Sequence, residues 1–453
     1  MNMPAKKISY TNPYASFLAS VEKPARYIGG EHNLIRKNWD DIDSKVALCF
    51  PDAYEIGMSH LGFKILYDQL NSQNDLLAER VFCPWPDMEK ELRERTLPLV
   101  TLETYRPLKD FDIVGFSLQY EMSYTNILMM LDLGGIPLWQ KDRAENDPFV
   151  IAGGPCATHP EPLAPFMDFV VIGDGEEQFE GLARFIAKLR KAKFSRKEIL
   201  EQLGERKGIY VPSLFERELD ERTQMMVVKT DKKIERFFIE DLKKFPFPTE
   251  APIPHATAIF DNFSVEISRG CTEGCRFCQA GMIYRPVRER EPQEVIKTVM
   301  EGLKKGGLRQ ASLTCLSTAD YSAVTPLVID LLEKIKNDRS KLGIASLRAY
   351  GLDESVLDKM REVQNTSLTF APEAGTERMR KVINKNVTEK DMMVTAERIF
   401  ARGFDKMKLY FMIGLPTETM EDVQGIMETG RKAREIARAR GVKNPKLTIS
   451  VSF

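Results

Sequence analysis

The chain has 453 residues, 43% of them hydrophobic and 29% charged, with a formal net charge of −1. That length accommodates two or three domains with substantial cores. The near-neutral balance gives no bulk reason to expect nucleic acid or a membrane surface as a partner.

The opening stretch MNMPAKKISYTNPYASFL lacks the apolar core and small-residue cleavage site of a secretory signal. No run of about 18 apolar residues marks a transmembrane helix. The seven cysteines are few and mostly isolated, which suits a reducing cytoplasm, the expected location, rather than a disulfide framework.

Residues 1–40 are polar and interrupted, and read as an N-terminal extension packed on something else. From 41 to 185 short apolar runs alternate with helical stretches. KVALCF (45–50) precedes a helix through Leu61, Ile65, Leu66 and Leu70; ERVFCP precedes a helix from Met88 to Arg95; DIVGFSL (112–118) precedes a helix from Ser123 to Leu133; PFVIAGG and DFVVIGDGEE follow. This alternation predicts a Rossmann-like, doubly wound parallel sheet covered on both faces. Its ligand edge lies at the carboxyl ends of the strands.

Residues 186–260 break the rhythm. A charged helix (FSRKEILEQLGERKG), two strand-like pieces (GIYVPSLFE and QMMVVKT) and the proline-rich KFPFPTEAPIPH read as a connector with a small β element.

From 261 to 453 strand–helix units resume. FSVEISRG is a strand, and EPQEVIKTVMEGLKKGG is a helix with Pro292 in its first turn and Gly306–Gly307 as its stop. QASLTCLS, IASLRAYG (344–351), SLTFAPEAG and KMKLYFMIGLP are further strands, and Thr388 with Asp391 opens a helix as a capping box. RKAREIARAR (431–440) is the solvated face of a helix. PKLTISVSF is a sixth strand, so the region predicts a partial (βα)6 barrel with chemistry at the strands' carboxyl ends. An exposed strand is a poor place to stop. The expectation is therefore a core truncated after the sixth strand, either a fragment or one completed by a separate partner chain.

The stretch SVEISRGCTEGCRFCQAG (264–281) gathers Cys271, Cys275 and Cys278 in one loop after a strand. Three soft thiolates hold a metal assembly. A closed structural zinc site wants four ligands, and the fourth candidates, Cys315 and His255, are distant in sequence. A cubane 4Fe–4S cluster normally takes four cysteines, so three would leave one iron open.

The spacing C-x3-C-x2-C, with Phe277 in the aromatic slot, resembles the radical-SAM superfamily. The resemblance implies that S-adenosylmethionine chelates the open iron and is cleaved to a 5′-deoxyadenosyl radical. It also implies polar contacts to the cofactor from Ser317 and Thr318 in LSTAD and from Glu373 in FAPEAGTERMRKVINK, with Gly375 allowing close approach. MIGLPTET (412–419) resembles the fifth-strand turn near the adenine. Read as ordinary structure, these are a turn and helix-capping acids.

PDAYEIG (51–57) resembles the cobalamin-binding pattern D-x-H-x-x-G, carried by Asp52, Tyr54 and Gly57 with tyrosine in place of histidine. Ser117, Gly153, Gly154, Gly175 and Glu176 match later positions of that domain, where glycines let the backbone approach the corrin and its tail. Cobalamin thus enters as an optional cofactor, bound without the usual imidazole or lost from a retained scaffold. His60 and His159 are loop histidines, read first as hydrogen-bonding residues. A Rossmann dinucleotide fingerprint is absent from the first strand.

The whole chain is similar to an uncharacterised bacterial radical-SAM family with an N-terminal cobalamin-binding-like domain; KPARYIGGEHN (23–33) and LTFAPEAGTERMR carry much of that match.

The expected function is radical-SAM chemistry, with methyl transfer to an unactivated carbon if cobalamin is present. The expected partner is a flavodoxin- or ferredoxin-like reductant. The alternatives are a non-catalytic iron–sulfur or zinc half of a two-chain assembly, and an RNA-modifying enzyme whose Arg285, Arg288 and Arg290 meet phosphates or else pair with Glu289 and Glu291. Cys49, Cys83 and Cys315 read as small buried hydrophobes, and Cys156 lies in a loop at the ligand edge.

Overall fold

A computed structural model describes residues 11–230, 232–336, 340–344, 353–363 and 368–453. The chain is α/β and divides into two compact units, Met1–Ile239 with Glu250–Asp261, and Glu240–Thr249 with Asn262–Phe453. Among the described residues no helix is long and apolar enough to cross a membrane.

The first unit is built on one six-stranded sheet: β1 (Ser44–Phe50), β2 (Leu76–Phe82), β3 (Ile113–Ser117), β4 (Phe149–Gly153), β5 (Phe169–Val171) and β6 (Ile209–Tyr210). The order is β2-β1-β3-β4-β5-β6, and only β6 runs antiparallel to its neighbour. Helices cover both faces, so the strands need apolar residues at successive positions. In β1, Val46, Leu48 and Phe50 enter one core and Ala47 and Cys49 the other. The direction of winding reverses between β1 and β3, which makes their carboxyl ends the switch point of the sheet.

The N-terminal extension belongs to this unit, with Tyr14, Phe17, Val21 and Tyr27 in one core. Residues 186–260 split between the units. A capping box of Ser195 and Glu198 starts the helix Arg196–Gly204, and a separate hairpin pairs β7 (Glu216–Asp220) with β8 (Met225–Lys229). The run GIYVPSLFE is not one strand: Pro212–Leu214 is a short helical turn between β6 and β7.

Strand β2 lies at the sheet edge, yet Glu79 and Arg80 on it are buried. Arg80 Nε meets Glu103 Oε1 at 2.6 Å and its Nη2 meets Glu31 Oε2 at 3.1 Å. Removing one member of such a set would strand a buried charge, at a cost of about 3–5 kcal/mol. Glu79 has no such cation. It accepts hydrogen bonds from the Thr101 and Thr104 hydroxyls instead. Burial, reinforced by the Glu103 charge, pushes its pKa up to about 7.

The second unit contains two parallel three-stranded sheets. One joins β9 (Phe263–Glu266), β12 (Gln310–Thr314) and β13 (Lys341–Ile344); the other joins β14 (Leu368–Glu373), β15 (Lys406–Met412) and β16 (Lys446–Ser452). Between β9 and β12, the short strands β10 (Ser268–Arg269) and β11 (Arg288–Glu289) form an antiparallel clasp. The sequential order 9-12-13 and 14-15-16, with intervening helices, is that of a partial (βα)6 core. The strand expected across 344–351 lies, but for Ile344, outside the described residues. Pro292 stands at the first position of its helix, Gly307 closes it in the left-handed conformation, and the Thr388–Asp391 capping box forms. In the helix Met420–Ala439, Ala433 and Ala437 face inward while Arg431 pairs with Glu428 and Glu435 on the exposed side.

Glu79 sets a pH dependence. Its carboxyl holds a proton in the fold up to about pH 7, whereas an unfolded glutamate loses it near 4.5. Folding therefore takes up a proton in that window, and stability falls as pH rises through it. Glu79→Gln keeps an acceptor for both threonines and removes the titration. The urea midpoint of the variant should drop less than that of the parent protein between pH 5 and pH 8; identical drops would refute the assignment.

Candidate functional site

The cysteine loop leaves β10 and returns through β11, with Ser268 opposite Glu289 and Arg269 opposite Arg288. Gly270 sits in this neck at φ +96°, where a Cβ would lie 2.6 Å from the Tyr284 carbonyl oxygen and 2.7 Å from that of Pro286. Only glycine closes the neck. Arg288 is buried and donates to those same two carbonyls, from Nη2 to Tyr284 at 3.2 Å and from Nε to Pro286 at 3.1 Å. Arg269 grips Glu266 with two hydrogen bonds, 2.9 and 3.0 Å.

Within the loop Cys271, Cys275 and Cys278 are in no disulfide; Cys275 is buried and the other two half-buried. The Cys278 amide donates to the Cys275 carbonyl at 3.1 Å, and the Gly281 amide donates to Cys278 Sγ at 3.4 Å. Among the described residues no three His, Cys, Asp or Glu side chains close around one point, as a single ion requires. A cubane makes a different demand, taking each thiolate on a different iron. Three soft sulfurs in a clasped loop, one with an amide donor, fit that donor set. Phe277 is exposed among them.

A second segment holds the loop from another side. Asn384 Nδ2 donates to the Gly274 carbonyl at 2.8 Å, the Arg276 amide donates to the Ile383 carbonyl at 3.0 Å, and Asn386 Nδ2 donates to Glu273 Oε2 at 2.9 Å. The same segment supplies Lys385, whose Nζ lies 3.3 Å from Glu373 Oε1. Glu373 ends β14 after a bulge, at φ +69°. That conformation costs a non-glycine residue about 1–3 kcal/mol and persists where surroundings impose it, often at functional sites. Burial raises the Glu373 pKa despite the counteracting Lys385 charge.

The other expected cofactor contacts divide. Ser317 and Thr318 follow β12 and both are buried; Thr318 is fully enclosed, its Oγ1 3.4 Å from Cys315 Sγ. Gly375 has a packing role. A Cβ there would lie 2.2 Å from the Asp422 carbonyl oxygen and 2.5 Å from the Ile426 amide nitrogen, because the helix Met420–Ala439 crosses directly over it. Gly425 is the reciprocal small residue on that helix, its own Cβ position 2.8 Å from the Gly375 carbonyl oxygen. The GLPTET turn is closed by Glu418, which accepts from the Gly414 amide at 2.7 Å.

The three arginines beside the cysteines do not form a phosphate-binding face. Arg288 is spent on the neck, and buried Arg290 donates to the Leu242 and Phe245 carbonyls. Arg285 donates to the Glu273 carbonyl. Glu289 instead accepts from Ser322, and Glu291 pairs with Lys243.

In the first unit, Asp52, Ser117, Gly153 and Gly154 come together at or just beyond the carboxyl ends of β1, β3 and β4, with Ser117 opposite Gly153. A Cβ on Gly153 would lie at ordinary contact distance, 3.7 Å from the Val171 carbonyl oxygen. Glycine is required at Gly154, at φ +112°, because a Cβ there would lie 2.5 Å from the Leu118 carbonyl oxygen. Gly175 precedes the helix Glu176–Lys191, and Glu176 is buried in its first turn.

Tyr54, which stands where the cobalamin pattern has histidine, is engaged within the fold. It is buried, its hydroxyl donates to Glu31 Oε1 at 3.0 Å and accepts from the His255 amide at 3.1 Å, and burial raises its pKa. Gly57 makes room for Phe82, whose ring would lie 2.3 Å from an added Cβ. His60 accepts from the Phe63 amide through Nδ1 at 3.2 Å, and burial lowers its pKa to about 4, so it is a neutral helix cap. Cys49 and Cys83 are buried as expected and Cys315 half-buried; Cys156 is buried, and burial raises its thiol pKa to about 11.

Comparison with known proteins bears on these two sites together. Residues 62–212 match the family described as radical SAM proteins, N-terminal, and residues 265–430 match the radical SAM superfamily. Residues 265–430 are a radical SAM domain.

It is 29% identical over 406 residues to the uncharacterized protein MJ0966 of Methanocaldococcus jannaschii, a match covering 89% of this chain and 77% of that one. The radical S-adenosylmethionine methyltransferase TsrM from Kitasatospora setae shares the fold, with a TM-score of 0.59 at 16% identity over 90% of this chain and 73% of its own. The cobalamin-dependent S-adenosylmethionine radical enzyme OxsB gives 0.55 at 14% identity over 85% of this chain, which spans about half of OxsB (52%). As a radical SAM protein the chain is an enzyme, and the superfamily implies a 4Fe–4S cluster, S-adenosylmethionine and a reductant. The non-catalytic alternative is thereby set aside.

Asn384 and Asn386 were not singled out by sequence reasoning. The signal was the polar NKN after a short helix, which acquires meaning only against the Gly274 carbonyl. Gly375→Ala should destabilise the protein by about 1–3 kcal/mol through overpacking against Asp422 and Ile426. Chemical denaturation with the second-unit signal isolated would check this, and an unchanged midpoint would contradict the packing role.

Proposed function

We propose that this radical SAM enzyme uses cobalamin and transfers a methyl group to an unactivated carbon. The observation that carries the reading is the pairing of two sites in one chain: a three-thiolate loop on a (βα)6 core, and the carboxyl-end rim of the first unit's sheet, where Ser117 and Gly153 stand opposite each other. TsrM, a methyltransferase, and OxsB, a cobalamin-dependent enzyme, share the fold over most of this chain, which supports the reading.

The chain's own residues do specific work in this scheme. Cys271, Cys275 and Cys278 would hold three irons and leave the fourth to the cofactor. Glu373, held by Lys385, and Ser317 offer polar groups beyond the strands of the core. The cluster, when bound and reduced, supplies the electron that cleaves the sulfonium. Asp52, Ser117 and Gly153 would face the corrin, which supplies a transferable methyl group. Tyr54 takes no part in holding cobalt, since its hydroxyl is engaged inside the fold. The RNA-modifying alternative loses two of its three motivating arginines, which are buried.

Anaerobic reconstitution with iron and sulfide should give a brown protein that forms 5′-deoxyadenosine under reduction, and Cys275→Ala should abolish both colour and product. A parent protein that loads iron and yields no 5′-deoxyadenosine would refute the activity. Protein from cobalamin-fed cells should carry a corrin spectrum. Its Co(II) resonance should lack nitrogen splitting from a protein imidazole, and Tyr54→Phe should leave that resonance unchanged. Absence of any corrin would remove the methyl-transfer reading and leave the radical class intact.

A further inference from the structure

We propose that Asn384 is a positioning residue for the cluster, setting the seat of the cysteine loop relative to Glu373. The loop is attached at two places. At its neck, β10 and β11 fix where the chain enters and leaves. Nothing in that ladder fixes the far side, where Gly274 and Cys275 lie. There the Asn384 amide reaches the Gly274 carbonyl at 2.8 Å, and the neighbouring Arg276 amide reaches the Ile383 carbonyl at 3.0 Å.

Asn384 adopts φ +54°, a left-handed conformation that asparagine tolerates better than most residues. That turn aims residue 384 at the loop while the next residue, Lys385, reaches Glu373 at 3.3 Å. One short turn therefore touches both the segment between the first two cysteines and the carboxylate at the end of β14. A shift of this turn moves the thiolates and Glu373 relative to each other. Supporting residues of this kind typically change metal affinity or activity by about 10–100-fold when lost.

The contact is also specific from the other side. A Cβ added to Gly274 would meet Asn384 Nδ2 at 2.9 Å and, chain neighbours aside, no other atom of the described residues within 4 Å. The pair can thus be perturbed from either partner without touching a cysteine.

The test uses anaerobically reconstituted full-length protein and the uncoupled formation of 5′-deoxyadenosine. Asn384→Gly keeps the left-handed backbone and removes the amide. It should melt near the parent protein and load iron, yet raise the KM for S-adenosylmethionine about tenfold with a smaller change in kcat. The reduced-cluster resonance should respond more weakly to added S-adenosylmethionine. Gly274→Ala should produce the same signature by pushing on Asn384. The double variant G274A/N384G removes that clash and should be no worse than N384G alone, a non-additive result expected of directly coupled residues.

Parent-like KM and resonance in both single variants would overturn the proposal, as would additive losses in the double variant. A parent protein that forms no 5′-deoxyadenosine would instead refute the activity on which the proposal rests, and so is distinguishable from either.

Discussion

Three cysteines on a mobile loop would sample many arrangements, and a cubane accepts few. The closure at Gly270 is the constraint on which the site depends. Glycine at φ +96° lets two carbonyls approach within 2.7 Å of where a Cβ would be, and Arg288 satisfies both from inside the loop. The neck converts an 18-residue excursion (270–287) into a structure with a fixed entry and exit. Ordering the loop before the cofactor arrives removes entropy that binding would otherwise have to overcome. The turn at 383–386 then adds a second anchor, so that the loop neither swings nor slides.

The first unit answers a different problem. Its sheet has an edge strand, β2, and exposed edges invite unwanted pairing. The N-terminal extension and the segment around Glu103 bury that edge, at the cost of enclosing Arg80 with Glu31 and Glu103. Tyr54 is drawn into the same polar layer through Glu31. The residue that looks, by spacing, like a metal-facing position is therefore part of the scaffold that seals the edge. Ser117 and Gly153 stand at the carboxyl ends of β3 and β4, beside the sheet's switch point.

Several features were legible because they depend on local chemistry. The apolar runs of β1, β3 and β4, the helix bracketed by Pro292 and Gly307, and the Thr388–Asp391 box each follow from residues a few positions apart. The cysteine spacing belongs to the same class. What was not legible shares a different property. Gly375 lies against a helix backbone from residues 422–426 and Gly57 against a phenylalanine from β2, contacts that no local pattern announces. Arg288 and Arg290 suggested either phosphates or the neighbouring glutamates as partners, and they bind carbonyls of their own fold. A glycine or an arginine in a motif records that space or charge is needed without recording by what.

The sequence by itself determined the α/β alternation, the two-part organisation and the trio of sulfurs, since periodicity, caps and ligand spacing act within a few residues. Only the tertiary structure decided which small and charged residues face a cofactor and which face the chain. It turned Tyr54 inward, set Gly375 under a helix and brought Asn384 to Gly274 across more than a hundred residues. The physical reason is that steric room and hydrogen-bond partners are properties of the packed chain, supplied by segments whose proximity no local pattern encodes.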